Sequence, residues 1–154
     1  QARSLTQTGP ALLSELLAEA GDLLAEFAGN GNVAGVGCLL HLGAPVDALY
    51  VRGDGYFGVA PKSTALHVAA WRARHDTVRA LIERGGPIEA LDGWGRSPLA
   101  LAVKACVDSY WTSRRSPESV QALLAAGASV QRVGYPCGYP EVDRLLADHG
   151  ATPP

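Results

Sequence analysis

Three segments of this chain repeat one pattern: two apolar residues, two spacers, then Gly followed by a small residue. They read LLHLGAPVDA (39–48), LIERGGPIEA (81–90) and LLAAGASVQR (123–132), with marker glycines Gly43, Gly85 and Gly127 spaced 42 residues apart in both intervals. A recurring unit this short cannot bury its own apolar face, so its neighbours must stack on it to make a core. That requirement constrains the fold more than any other feature of the sequence.

Between the markers lie Thr64-Ala65-Leu66-His67-Val68-Ala69-Ala70 and Ser97-Pro98-Leu99-Ala100-Leu101-Ala102-Val103. These strings resemble the T-P-L-H-x-A-A signature of the ankyrin repeat family, followed by a second helix and a closing Gly-Ala. The family period is about 33, so each interval carries a surplus of about nine residues. The surplus falls in two places. From Ala48 to Thr64 there are 15 intervening residues, against 6 from Ala90 to Ser97; Thr64 to Gly85 is 21 positions, against 30 from Ser97 to Gly127. One insertion therefore lengthens an inter-repeat hairpin, and the other separates the two helices of the third repeat.

The local chemistry agrees with the pattern. Thr64 and Ser97 are placed to cap short helices, Pro98 suits a first helical turn, and small Ala69, Ala70 and Ala102 permit close helix approach. Val36, Leu39 and Leu40, Val78, Leu81 and Ile82, and Val120, Leu123 and Leu124 supply the apolar stripe of each second helix. Gly43, Gly85 and Gly127 then end those helices in a left-handed cap. The resemblance, covering residues 22–151, implies an all-α ankyrin-repeat solenoid of about three full repeats plus N- and C-terminal caps. The expected divisions are an N-terminal cap helix (1–21), a degenerate first repeat (22–48), an extended hairpin insertion (49–63), a second repeat (64–90), a third with its inter-helix insertion (91–132) and a truncated closing repeat (133–154).

Composition fits one domain of this kind. Hydrophobic residues make up 47% of the 154 but aromatics only 6%, so the core is built from Leu, Ala and Val. A net charge of -2 gives no overall pull toward nucleic acid or an anionic membrane, and no apolar run is long enough to span one. The three cysteines, Cys38, Cys106 and Cys137, lie in no zinc or disulfide spacing and read as reduced thiols of a cytoplasmic or nuclear protein. Lacking methionine altogether, the chain is expected to be a piece of a longer protein.

No catalytic, metal or cofactor motif emerges. His67 occupies the signature position where the resemblance implies a bond to the capping hydroxyl, and no histidine neighbours a nucleophile motif. Cys38 takes a helix position where the family has Leu and reads as a small core hydrophobe.

The resemblance implies binding of a protein or peptide, by a monomer, through hairpin tips and the exposed face of each first helix. Carried over by position, the second repeat would expose Val68, Trp71 and Arg72, and the third Leu101, Lys104 and Ala105. Trp94 would sit at the tip of the hairpin Leu91-Asp92-Gly93-Trp94-Gly95-Arg96; the alternative for Trp71 and Trp94 is that they pack on each other or against the inserted loop and serve stability. The lengthened hairpin YVRGDGYFGVAPKST (50–64) alternates like two short strands around Gly53-Asp54-Gly55, and is expected to extend the face with Arg52, Tyr56 and Phe57; the alternative is a finger folded back as a lid. Its Arg-Gly-Asp reads as turn composition, not as an adhesive tripeptide. The second insertion, Val107–Ser116, is expected at the opposite edge, with Tyr110 and Trp111 packing locally and Arg114 and Arg115 as a solvated pair; the alternative is that these two meet acidic groups or a phosphopeptide. Two other functional classes share the fold: the substrate-recognition part of a ubiquitin ligase carrying a SOCS box, and an ankyrin-type kinase inhibitor.

Overall fold

The computed structural model describes residues 9–154, so the first eight residues of the expected cap lie outside it. Eight α-helices appear among the described residues: α1 (Gly9–Ala18), α2 (Ala20–Gly29), α3 (Val33–His41), α4 (Ala65–Trp71), α5 (His75–Glu83), α6 (Pro98–Asp108), α7 (Glu118–Ala125) and α8 (Pro140–Asp148). Two short strands, β1 (Leu49–Tyr50) and β2 (Ser63–Thr64), pair antiparallel with Leu49 opposite Thr64.

Three helix starts, those of α3, α4 and α6, are capped by side chains. The Thr64 hydroxyl accepts from the His67 backbone N–H while His67 Nδ1 accepts from the Thr64 N–H, closing a capping box at α4. Ser97 accepts from Ala100 N–H at 3.1 Å with Pro98 in the first turn of α6, and Asn32 caps α3 through Gly35 at 2.8 Å. The second helices all end alike. Gly43, Gly85, Gly127 and Gly150 adopt positive φ, and the following N–H reaches back five residues to the carbonyl of Leu39, Leu81, Leu123 or Leu146. A side chain would strain that left-handed turn, which is why the marker position is Gly.

α4 packs between α2 and α6, and α5 between α3 and α7; α8 packs on α7. Leu24, Leu66 and Leu99 from α2, α4 and α6 meet Val36, Val78, Leu81, Val120 and Leu123 in one core, all with essentially no exposure. Ala65, Ala69 and Ala70 on α4 are buried as well, so small side chains do set the spacing there. At the C-terminal end Val142 and Leu146 continue this core directly from α8, which is preceded by a loop in which the Asp143 carboxylate accepts from the Cys137 and Gly138 amides.

Three expectations need correction. Cys38 is exposed: α3 turns Val36 and Leu39 inward, which leaves position 38 on the outer surface. The long hairpin pairs only at its base, and its tip is a 3-10 turn over Gly55–Phe57 closed by a bridge between Asp54 and Val59, because the tip folds onto the helices instead of continuing as strands. The 107–116 insertion does extend α6 to Asp108, but it then runs back across the end of α4, where Arg72 joins it to the finger, instead of keeping to the edge opposite the hairpins.

Candidate protein-interaction surface

Trp71 organises the region between the two insertions. It is the last residue of α4 and only 4% exposed, against the expectation that it stands on an open face. Its indole N–H donates to the Phe57 carbonyl at 2.6 Å, and its ring meets Trp111 edge to face with centroids 5.9 Å apart. The hairpin finger thus covers one side and the inter-helix insertion the other. Val68, Leu101 and Ala105, expected to be exposed with it, are also buried. Helix packing and the covering insertions consume the surface that the family pattern would leave free.

The guanidinium of Arg72 lies over both Phe57 and Trp111, at 5.7 and 5.2 Å from the ring centroids, joining finger to insertion. Gly58 makes the close approach possible. Its φ is +81°, and a Cβ there would stand 3.1 Å from the Trp71 ring. Arg96 adds a third tie by donating to the Gly58 carbonyl at 3.0 Å, and Gly93 N–H donates to Pro61 at 2.7 Å. The finger is therefore latched to the next hairpin as well as to α4.

That next hairpin is built on Asp92, whose buried carboxylate accepts from the Trp94 and Arg96 amides and from the Arg96 side chain at 3.0 Å. Arg96 then stacks over Trp94, 4.7 Å from its centroid, holding an indole that remains 53% exposed. Sequence reasoning passed over Asp92 and Arg96, although an Asp opening a Gly-rich turn is itself a signal for side-chain bonds to the backbone two residues on. Behind the hairpin, His67 Nε2 donates to the Arg96 carbonyl at 2.9 Å, so one imidazole caps α4 and anchors the turn that follows. Burial holds the His67 pKa below its ordinary value of 6.5.

Of the other expected contact residues, Tyr56 is 84% exposed at the finger tip, with Phe57 against it edge to face. Arg52 is exposed on the finger. Lys104 is exposed on α6 and paired with Asp108 at 2.7 Å, its ammonium 5.9 Å from the Trp71 ring. Arg52, Tyr56, Phe57 and Trp94 thus belong to one latched rim, while Trp71 supports it from beneath and Arg72 and Lys104 flank that support.

The expected solvation of Arg114 and Arg115 is overturned. Arg114 donates to the Arg72 carbonyl at the end of α4, where a cation suits the helix dipole, and Arg115 folds onto Ser109. The insertion also brings together side chains that are distant in sequence. His75 Nε2 lies 2.8 Å from the Arg114 carbonyl, which only accepts, so this nitrogen carries the proton; Nδ1 then accepts from Ser119 at 2.6 Å. Both ring nitrogens are engaged, leaving no lone pair to activate the nearby Ser116 hydroxyl. The cluster is a bracket between α5 and the insertion.

A capped helix pair closed by a left-handed Gly and tied through its histidine to the next hairpin defines a helical-repeat protein. Residues 62–93, from β2 through α4 and α5 into the Trp94 hairpin, match the ankyrin repeat family model, so this part of the chain is similar to an ankyrin repeat. Ankyrin repeats are in general non-enzymatic protein-interaction modules. No curated protein matches the chain. No helix among the described residues is long and apolar enough to cross a membrane, and none of their His, Cys, Asp and Glu side chains gather into a metal-binding group.

Proposed function

We propose that this protein is a stack of about three ankyrin repeats with end caps, acting as an adaptor that grips another polypeptide along the rim formed by its two hairpins. The carrying observation is the latched rim. Tyr56 and Trp94 present large exposed aromatic surface while Asp92, Arg96 and Trp71 hold their backbones in place. Preorganised Trp, Tyr and Arg side chains are the usual carriers of binding energy at protein interfaces, because they offer much contact area at little conformational cost. Arg52 and Phe57 widen the contact, and Lys104 borders it.

The reading is tested by quantitative pull-down with the full chain, comparing the native protein with a Tyr56→Ala, Trp94→Ala double variant. Tyr110→Ser, which removes an exposed aromatic from the other insertion, serves as the control. A partner retained by native protein and Tyr110→Ser but lost by the double variant supports the rim. Retention by all three would refute it.

A further inference from the structure

The α4–α5 turn and the α6–α7 insertion enclose an open cleft of about 380 Å³, whose walls include Arg74, Asp76, Thr77, Arg79, Arg114 and Glu118. Its charges are unevenly matched. Arg79 is paired with Asp76 and Glu118, whereas Arg74 and Arg114 have no carboxylate partner among the described residues. These two are positioned through Nε alone, by the Gly29 and Arg72 carbonyls, at 3.0 and 3.1 Å. One Arg114 η-nitrogen is withdrawn from solvent with no acceptor, and the fully buried Thr77 in the same wall has an unpartnered hydroxyl. Burial, then the nearby Arg74 and Arg72 charges, lower the Arg114 pKa from its ordinary value.

The backbone adds donors at the same place. α5 is nine residues long and has no side-chain cap at its start, and its first backbone bond belongs to the Val78 N–H, leaving the preceding amides of the turn facing the cleft edge. Crowded guanidinium groups, unpaired donors and a helix N-terminus converge on one opening, an arrangement of positive charge and donors that suits an anion.

We propose that this cleft binds the oxyanion of a phosphate monoester, with the guanidinium groups of Arg74 and Arg114 and the first amides of α5 as donors. The fork geometry of two guanidinium groups suits a tetrahedral oxyanion better than point charges would. The cleft is several times larger than a phosphate group, so the esterified part has room beside it, and the Asp76 and Glu118 carboxylates in its wall limit affinity by repulsion. The site is formed by the insertion and the helix-turn edge and does not depend on the hairpin rim for its chemistry.

The test is a ¹⁵N-NMR titration of the full chain with inorganic phosphate, O-phosphoserine and, as a control at matched ionic strength, chloride. The expected result is saturable movement of the His75, Asp76 and Thr77 amides with both phosphates and not with chloride. Tighter binding of O-phosphoserine would assign the site to an esterified side chain or metabolite, and equal binding to the free anion; either supports an oxyanion site. Arg114→Gln is expected to weaken binding about tenfold, the loss of one charge-assisted contact. Should that variant fail to fold, Glu118→Gln keeps the bond to Ser116 while removing the repulsive charge, and is expected to tighten phosphate binding about threefold. Unsaturable shifts that chloride reproduces, or an unchanged affinity in Glu118→Gln, would overturn the proposal.

Discussion

The indole nitrogen of Trp71 donates to the carbonyl of Phe57 across 14 residues of sequence, at 2.6 Å. One buried side chain thereby joins the end of a repeat helix to the tip of an inserted hairpin. Trp71→Phe keeps most of the ring packing and deletes the donor, so it should cost about 1–2 kcal/mol in urea denaturation. Limited trypsin digestion should cut faster at Arg52, because the finger loses its central tie.

Gly58→Ala attacks the same contact from the other side. A left-handed φ of +81° and a Trp71 ring 3.1 Å from the new methyl group make the cost about 1–2 kcal/mol or more. Combined with Trp71→Phe the two effects should not add, and a double-mutant cycle measures the coupling.

Removing the carboxylate of Asp92 leaves Arg96 without its ion partner and two hairpin amides without their acceptor. Asp92→Ala should destabilise the chain by about 3 kcal/mol. It should also shift Trp94 fluorescence, since the guanidinium stacked on that indole loses its anchor.

The pH dependence follows from His67. Its folded pKa lies below the unfolded value of 6.5 because burial disfavours the imidazolium, so below pH 6.5 the unfolded chain binds more protons than the folded one. The stability contributed by neutral His67 is full above that pH and is lost as pH falls through the folded pKa. Denaturation midpoints measured from pH 8 downward should decline below about 6.5, and a His67→Gln variant should show less of that decline.

Thiol reactivity separates the cysteines. Burial pushes the Cys106 thiol up to about 11, with its sulfur against the Ala102 carbonyl, while Cys38 is exposed on α3. Alkylation of the native protein at pH 8, followed by peptide mass spectrometry, should modify Cys38 first and Cys106 only on unfolding.

Much of the scaffold was legible because its determinants are local. Thr64 and His67 sit three residues apart and close their capping box within one turn, and each marker glycine ends the helix that directly precedes it. The exposure of Trp94 and Tyr56 was legible, since both are large aromatics in short turns that offer them no cover. It was illegible at Trp71, because exposure there depends on two insertions lying 14 and 40 residues away and meeting over one ring. The same holds for His75, whose partners Ser119 and the Arg114 carbonyl come from beyond the next repeat helix.

From its sequence alone this protein is a set of capped helix pairs with apolar stripes, glycine stops and two nine-residue surpluses, since those properties are set by neighbours within a turn or two of chain. Only the tertiary structure decided that the surpluses fold inward, enclosing Trp71 and gathering Arg72, Arg74 and Arg114. Inserted segments carry no periodicity of their own, so their course is chosen by the surface they meet: an indole in need of an acceptor, a helix end in need of a cation, and a left-handed glycine that lets the chain come close enough to supply both.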